Sequence, residues 1–234
     1  MQALCKVGKL RVPMWLSLLA VLTLAVTTTS PVFAQSGVVD VRTFVTRSYY
    51  EGISFRDAAS YGVDDMPELS DMLMDETLEE HWGNVVFVIS VIGDPSATTT
   101  LLEFFDRQSG EISVHALRAS LGVFQGLGHL ARNGDEQAMA VLLDFSRPDL
   151  DWQSTGRFDF SYGRYGGGVL AEVTGRFALQ GLAISGNPEA LDALNALGAD
   201  PNLRTDWRDN VEEAITLNSR IRSEGPAAVF DGGE

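Results

Sequence analysis

One short motif occurs three times along this 234-residue chain, and each copy has the residues that end one helix and begin the next. A glycine stands where a helix would end, and an Asp or Asn follows where the next helix would begin. Glycine accepts the left-handed backbone that closes many helices, and an Asp or Asn side chain accepts hydrogen bonds from the free N–H groups of a helix N-terminus. Pro or Glu comes next, and both suit the first helical turn. The copies are Ile92-Gly93-Asp94-Pro95, Asn133-Gly134-Asp135-Glu136 and Ser185-Gly186-Asn187-Pro188.

Apolar residues flank the three motifs at the same offsets. An Ala and a Leu stand three and seven positions after each capping residue, and two apolar residues stand seven and four positions before each glycine. These residues are Ala97, Leu101, Ala138, Leu142, Ala190 and Leu194, then Val86, Ile89, Leu127, Leu130, Leu179 and Leu182. Self-similarity at this period predicts an array of paired helices that stack and bury a continuous core.

The pattern Gly-Asp-Pro-x-Ala-x-x-x-Leu after an apolar helix resembles HEAT repeats, especially the bacterial HEAT-like type also seen in phycobilin lyases. The resemblance covers about residues 65–223. It implies an all-α fold, a right-handed α-α superhelix (HEAT-like solenoid) of about four helix pairs. Phycobilin lyases act on cytoplasmic antenna proteins, whereas the first 34 residues of this chain make it look exported, so the resemblance implies a fold and no activity.

Apolar periodicity and capping residues predict the positions of the helices. Residues 35–64 are expected to cap the solenoid, residues 65–223 to form the repeats, and residues 224–234 to form a flexible tail. The predicted helices are 38–50, 54–61, 66–74, 82–92, 95–107, 114–132, 136–145, 169–185, 188–197 and 207–223. Glycines at 122, 126 and 128 each cost the long helix 114–132 roughly 1 kcal/mol relative to Ala. Close approach of a neighbouring helix is expected to offset that cost.

Residues 1–34 have the three parts of an export signal. These are a positive start (Lys6, Lys9, Arg11), an apolar run (15–26) and a small-residue cleavage motif (32–34). The apolar run is shorter than the roughly 20 residues of an ordinary membrane span. We therefore expect cleavage after Ala34, no stable membrane insertion of the mature chain, and a periplasmic or secreted location.

The composition of the mature chain excludes several kinds of chemistry. The predicted signal holds three of the 17 basic residues and none of the 32 acidic ones, which leaves 14 basic residues and a net charge of −18. Such a charge repels nucleic-acid phosphate, so no nucleic-acid partner is expected. The mature chain also has no Cys and no Lys. Disulfides, thiolate nucleophiles, Cys-ligated zinc and Schiff-base chemistry are therefore excluded, and no cofactor is expected.

An insertion interrupts the repeat between its last two motifs. The first two motif glycines are 41 residues apart and the last two are 52 apart, and the excess falls in residues 149–168. Insertions of this kind map to loops on one face, often the binding face. Its aromatic and Arg residues are the types found in interface hot spots: Trp152, Arg157, Phe158, Phe160, Tyr162, Arg164 and Tyr165. Two interpretations stay open, a surface that recognises a partner and an aromatic lid folded over the core.

No motif for nucleotide binding, nucleophilic catalysis or zinc proteolysis occurs in the sequence. The three histidines are too scattered for a metal site, and helix caps or solvated imidazoles are expected there. We therefore expect a non-enzymatic scaffold that binds another protein. The alternative is a small-molecule-binding protein or a carboxylate-based enzyme on the concave face, with Asp149, Asp151, Asp159 or Glu172 as candidates. A pocket with a carboxyl group of raised pKa would favour that alternative.

Overall fold

The computed structural model describes residues 39–148 and 158–231 of the chain. The predicted export signal and its cleavage site lie outside the described residues. So do residues 149–157 of the insertion, which include Trp152, Arg157, Asp149 and Asp151, and the last three residues of the chain.

Helices make up most of the described residues, which confirms an all-α protein. The α-helices there are α1 (Val41–Val45), α2 (Phe55–Ala58), α3 (Met66–Met74), α4 (Trp82–Ile92), α5 (Ala97–Asp106), α6 (Val114–Arg132), α7 (Glu136–Phe145), α8 (Gly167–Ser185), α9 (Pro188–Gly198), α10 (Thr205–Glu224) and α11 (Pro226–Phe230). Two 3-10 helices lie at Val63–Asp65 and Glu76–His81. The two-residue strands β1 (Gly110–Glu111) and β2 (Phe160–Ser161) pair in parallel. Within the described ranges, no helix has the length and apolarity needed to cross a bilayer.

All three motif glycines adopt the predicted left-handed backbone, with φ of 69° at Gly93, 93° at Gly134 and 56° at Gly186. The capping residues behave as expected in the second and third motifs. The Asp135 carboxylate accepts the Ala138 N–H at 2.9 Å, and the Asn187 side-chain oxygen accepts the Glu189 N–H at 2.8 Å at the start of α9.

The first motif differs from the prediction. The Asp94 carboxylate accepts the N–H of Ser96 at 2.8 Å, and the Ser96 hydroxyl also donates to it. These bonds hold residues 94–96 in a turn, so α5 begins at Ala97, two residues later than predicted.

Four helices, α4, α6, α8 and α10, pack one on the next and form what we call the central stack. The helices α3, α5, α7 and α9 lie against them. All twelve apolar residues that flank the motifs at fixed offsets are buried, with 2% or less of each exposed. The repeat pattern in the sequence therefore marks the core.

The tightest crossing in the stack joins α6 and α8. A Cβ atom on Gly128 would lie 2.9 Å from the Gly181 Cα and nearer still to its carbonyl oxygen. A Cβ on Gly181 would collide with the carbonyl oxygen of Phe124. Since the obstacles are backbone atoms, the two helices approach this closely only with glycine at both positions.

The other two glycines of α6 differ from each other. A Cβ on Gly126 would collide with the side chain of Ser90 in α4, so close approach explains this glycine as predicted. A Cβ on Gly122 would meet only the Val86 Cγ1 atom at 3.8 Å, an ordinary contact. No packing requirement accounts for Gly122.

The two ends of the described chain differ most from the predicted helices. The opening helix covers only Val41–Val45. At the other end, where a flexible tail is expected from residue 224, α10 continues to Glu224 and residues 226–230 form α11. The Asp231 carboxylate then accepts hydrogen bonds from the Phe55 and Arg56 N–H groups at 2.9 and 3.0 Å, so the C-terminal segment is fastened to the start of α2.

Substituting two glycines of α6 separately should shift stability in opposite directions. Gly128→Ala should lower the free energy of unfolding by roughly 1–3 kcal/mol, because the added methyl group forces α6 and α8 apart. Gly122→Ala should raise it by up to about 1 kcal/mol, because Ala is the better helix former and its methyl group has room. Urea unfolding at fixed pH measures both, and equal shifts for the two variants would contradict the close crossing.

Candidate functional site

The described part of the insertion begins in a cluster of five phenylalanine rings. Its members are Phe105 of α5, Phe124 of α6, Phe145 of α7, and Phe158 and Phe160 of the insertion. Phe105 lies with its centroid 5.9 Å from each of the two insertion rings, in edge-to-face geometry. Phe160 is only 4% exposed. We call these five rings the aromatic cluster, and in it Phe158 and Phe160 cover the core.

Backbone pairing fixes the same segment to the connection between α5 and α6. The Gly110 N–H donates to the Asp159 carbonyl at 2.8 Å, and the Ile112 N–H donates to the Ser161 carbonyl at 2.9 Å. The alternation of aromatic and polar residues in the insertion is typical of a strand, and β2 forms there.

The next four residues, 162–165, form a turn that we call the tyrosine turn. Tyr162 and Tyr165 exchange two backbone hydrogen bonds of 2.8 and 3.0 Å. Gly163 has the left-handed backbone that the turn needs, with φ of 56°, and its N–H donates to the Glu111 carboxylate at 2.7 Å. The geometry of the turn is therefore set by β1 as well as by its own residues.

The side chains of the tyrosine turn are more exposed than those of the aromatic cluster. Tyr165 is 41% exposed, Arg164 is exposed and Tyr162 is half-buried. The Arg164 guanidinium lies 5.2 Å from the centroid of the Tyr165 ring and donates to its hydroxyl at 3.1 Å. Of the seven predicted partner-binding residues, Phe160 lies in the core, Phe158 is partly buried against it, and three lie in the tyrosine turn. Trp152 and Arg157 lie outside the described residues.

Among the carboxylates considered for catalysis, Glu172 lies in an ion-pair network. The Arg204 and Arg176 guanidinium groups donate to it at 2.9 and 2.8 Å, and both also pair with Asp206. The hydrogen bond from Arg204 is the largest influence, and with that from Arg176 it lowers the pKa of Glu172. Glu172 is therefore ionised at neutral pH and unsuited to donate a proton there. Asp159 is exposed on the insertion.

A second candidate site is a cavity of about 380 Å³ on one face of the central stack. Its floor includes Gly83 of α4 and Gly122 of α6, and its far side includes Ile184 of α8. The two ends of the described chain also contribute to the lining, through Glu51, Ile53 and Phe55 at one end and Phe230 and Asp231 at the other. We call this cavity the terminal pocket.

His129 of α6 lines the terminal pocket and is only 6% exposed. Three phenylalanine rings surround its imidazole, with centroids at 5.4 Å (Phe55), 5.9 Å (Phe87) and 6.3 Å (Phe230). Burial, with a smaller contribution from Arg132, lowers the pKa of His129 to about 4. The imidazole is therefore neutral at physiological pH, buried among aromatic rings rather than serving as a cap or lying in solvent.

The sequence analysis did not identify the terminal pocket. Phe55 stands in a short predicted helix and Phe230 in the predicted tail, so no periodic pattern links them to His129. One local signal was present, since Gly122 weakens a helix interior and packing does not require it. Within the described ranges, no group of three or more His, Cys, Asp or Glu side chains is placed to hold a metal ion.

Comparison with protein-family models, with curated proteins and with solved structures finds no match to this chain.

The buried imidazole should make stability depend on pH. The unfolded chain takes up a proton on His129 as the pH falls through 6.5, whereas the folded chain does so only near pH 4. The free energy of unfolding should therefore fall as the pH is lowered below 6.5, by about 2 kcal/mol between pH 7 and pH 5. His129→Gln should remove that part of the pH dependence in urea unfolding.

His115→Gln is the matched control, because His115 is exposed at the start of α6. For each protein, the free energy of unfolding at pH 5 is subtracted from that at pH 7, and these differences are compared. A substitution that lowers stability equally at both pH values does not change this difference. Equal pH dependence of the wild type and His129→Gln would contradict a buried neutral imidazole.

Proposed function

We propose that this protein is an exported, non-enzymatic scaffold of the HEAT-like type that binds another protein through the outer part of its insertion. The observation that carries the proposal is the tyrosine turn. It presents Arg164 and Tyr165 to solvent on a backbone that is already fixed by β1.

The architecture supports the superhelical part of this proposal. Three helix boundaries carry the same left-handed glycine, and the helices of the central stack follow one another in chain order. Such stacking of consecutive helix pairs is how α-solenoid proteins build long binding surfaces.

The chemistry of the tyrosine turn supports protein binding. Tyr and Arg are enriched among the residues that contribute most to the affinity of protein interfaces. A surface that is held in one conformation before binding loses less conformational entropy when a partner arrives. The bonds from Gly163 to Glu111 and between Tyr162 and Tyr165 provide that rigidity.

The lowered pKa of Glu172 weakens the competing proposal of a carboxylate-based enzyme. A general acid at neutral pH needs a raised pKa, and the two Arg partners lower that of Glu172. Small-molecule binding, the other part of the alternative, has specific support in the terminal pocket and is developed below.

The double variant Arg164→Ala, Tyr165→Ala should lose its partner without losing its fold. Affinity capture from the native envelope fraction, read by quantitative mass spectrometry, should fall about tenfold or more for the specific partner. Loss of about 2 kcal/mol, typical of a hot-spot residue, corresponds to a roughly thirtyfold loss of affinity. The melting temperature should stay within about 2 °C of the wild type, because both side chains leave the core untouched.

Two comparisons give this experiment its controls. Tyr50→Ala removes a fully exposed tyrosine elsewhere and should leave capture unchanged. Phe160→Ala should instead cost about 3–5 kcal/mol of stability, since it removes a buried ring from the aromatic cluster. Undiminished capture by the Arg164, Tyr165 double variant would overturn the tyrosine turn as the binding surface.

Export is tested separately. We expect N-terminal sequencing of the protein recovered from outside the cytoplasm to begin at Gln35, with allowance for cyclisation of that residue, because the apolar run is short and small residues follow it. A mature N-terminus before Trp15 would contradict the proposed export signal.

A further inference from the structure

Two glycines in the floor of the terminal pocket have no packing role. A Cβ atom on Gly83 would have no neighbour within 4 Å, and one on Gly122 only the Val86 methyl at 3.8 Å. The glycines at 126, 128, 175 and 181 differ, because a Cβ on each would come within 3.0 Å of a neighbouring helix. Neither Gly83 nor Gly122 has a positive φ, so backbone conformation does not require them either. What both residues do in this structure is keep the pocket open.

A buried polar side chain faces the same space. His129 is more than nine-tenths buried, and no hydrogen bond joins its ring nitrogens to any described residue. Its ring nitrogens are not completely sealed from solvent, and His129 lines the pocket. A neutral imidazole left without a partner at the edge of a cavity is suited to hydrogen-bond a ligand.

The charged side chains that line the pocket are acidic, while Arg132 lies near His129 and Arg56 near Asp231 without lining it. The ionised side chains that line it are Glu51 and Asp231, and Asp231 is already bonded to the start of α2. Glu51 is exposed and leaves its carboxylate available at the mouth. The phenylalanine rings at 55, 87 and 230 add faces that attract a cation within about 6 Å of the ring centroid.

We propose that the terminal pocket binds a small organic cation, whose apolar body lies over Gly83 and Gly122 and whose ammonium group lies near the phenylalanine rings and Glu51. An anion would meet two carboxylates, and no cationic side chain, among the residues that line the pocket. The cavity volume falls in the range of small-molecule sites. This site does not depend on the tyrosine turn, which lies at the insertion and shares no residue with the pocket.

Three probes of similar shape and different charge test the proposal. 2-Phenylethylamine, 2-phenylethanol and phenylacetate are titrated into the full mature chain at pH 7.5, and binding is followed by calorimetry and by ligand-observed NMR. The amine should bind with a dissociation constant of about 1 mM or less, at least tenfold more tightly than the carboxylate and more tightly than the alcohol. Glu51→Gln should weaken binding of the amine and leave that of the alcohol unchanged, because it removes one of the groups that attract the cation.

A side chain that fills the floor of the terminal pocket should weaken binding of the amine and leave the fold intact. Gly122→Leu places a side chain in the cavity at a helical position that favours leucine over glycine, and affinity for the amine should fall at least tenfold while the melting temperature holds or rises. Gly83→Leu does the same from α4 and serves as the second variant if Gly122→Leu is poorly folded. Ala140→Leu, on the exposed face of α7, should leave binding unchanged.

Three results would overturn the proposal. These are equal binding of the amine and the carboxylate, equal binding of the amine and the alcohol, or undiminished binding by both leucine variants of the floor. None of them bears on partner capture by the tyrosine turn, so the two proposals fail separately.

Discussion

The distance between α6 and α8 depends on two glycines, Gly128 and Gly181, which bring the backbones of the two helices into direct contact. Each helix also packs on the next member of the central stack, α6 on α4 and α8 on α10. The spacing at this one crossing therefore sets where all four helices lie. It also sets the space on the stack face where the terminal pocket forms, because Gly122 and Ile184 belong to the same two helices.

The insertion shows how a repeat can accept extra residues without losing its core. Phe158 and Phe160 enter the aromatic cluster, and the pairing of β1 with β2 fixes the backbone beside them. Once that inner part is buried, the next residues must leave the core, and Glu111 holds them in the tyrosine turn. The predicted lid thus accounts for the inner part of the segment, and the exposed outer part is the proposed binding surface.

The two ends of the described part of the chain complete the terminal pocket. Asp231 accepts three hydrogen bonds, from the Ser54 hydroxyl and from the N–H groups of Phe55 and Arg56. Burial alone would raise the pKa of Asp231, but these bonds outweigh it and lower the pKa, so the carboxylate is ionised at neutral pH. The fastening holds Phe230 beside His129. A pocket built in this way combines residues that are about 175 positions apart in the chain.

The sequence by itself determined the local features: where the helices of the repeats end, which glycines are left-handed, and which apolar residues form the core. Each of these follows from short-range chemistry, such as the capping of α7 by Asp135 or the burial of Leu142 two turns later. Only the tertiary structure decided the pairing of β1 with β2, the docking of α11 and the surroundings of His129. Those contacts join residues that are far apart in the chain and that no repeating pattern connects. They are stabilised by packing between distant segments, and a local sequence pattern carries no information about that packing.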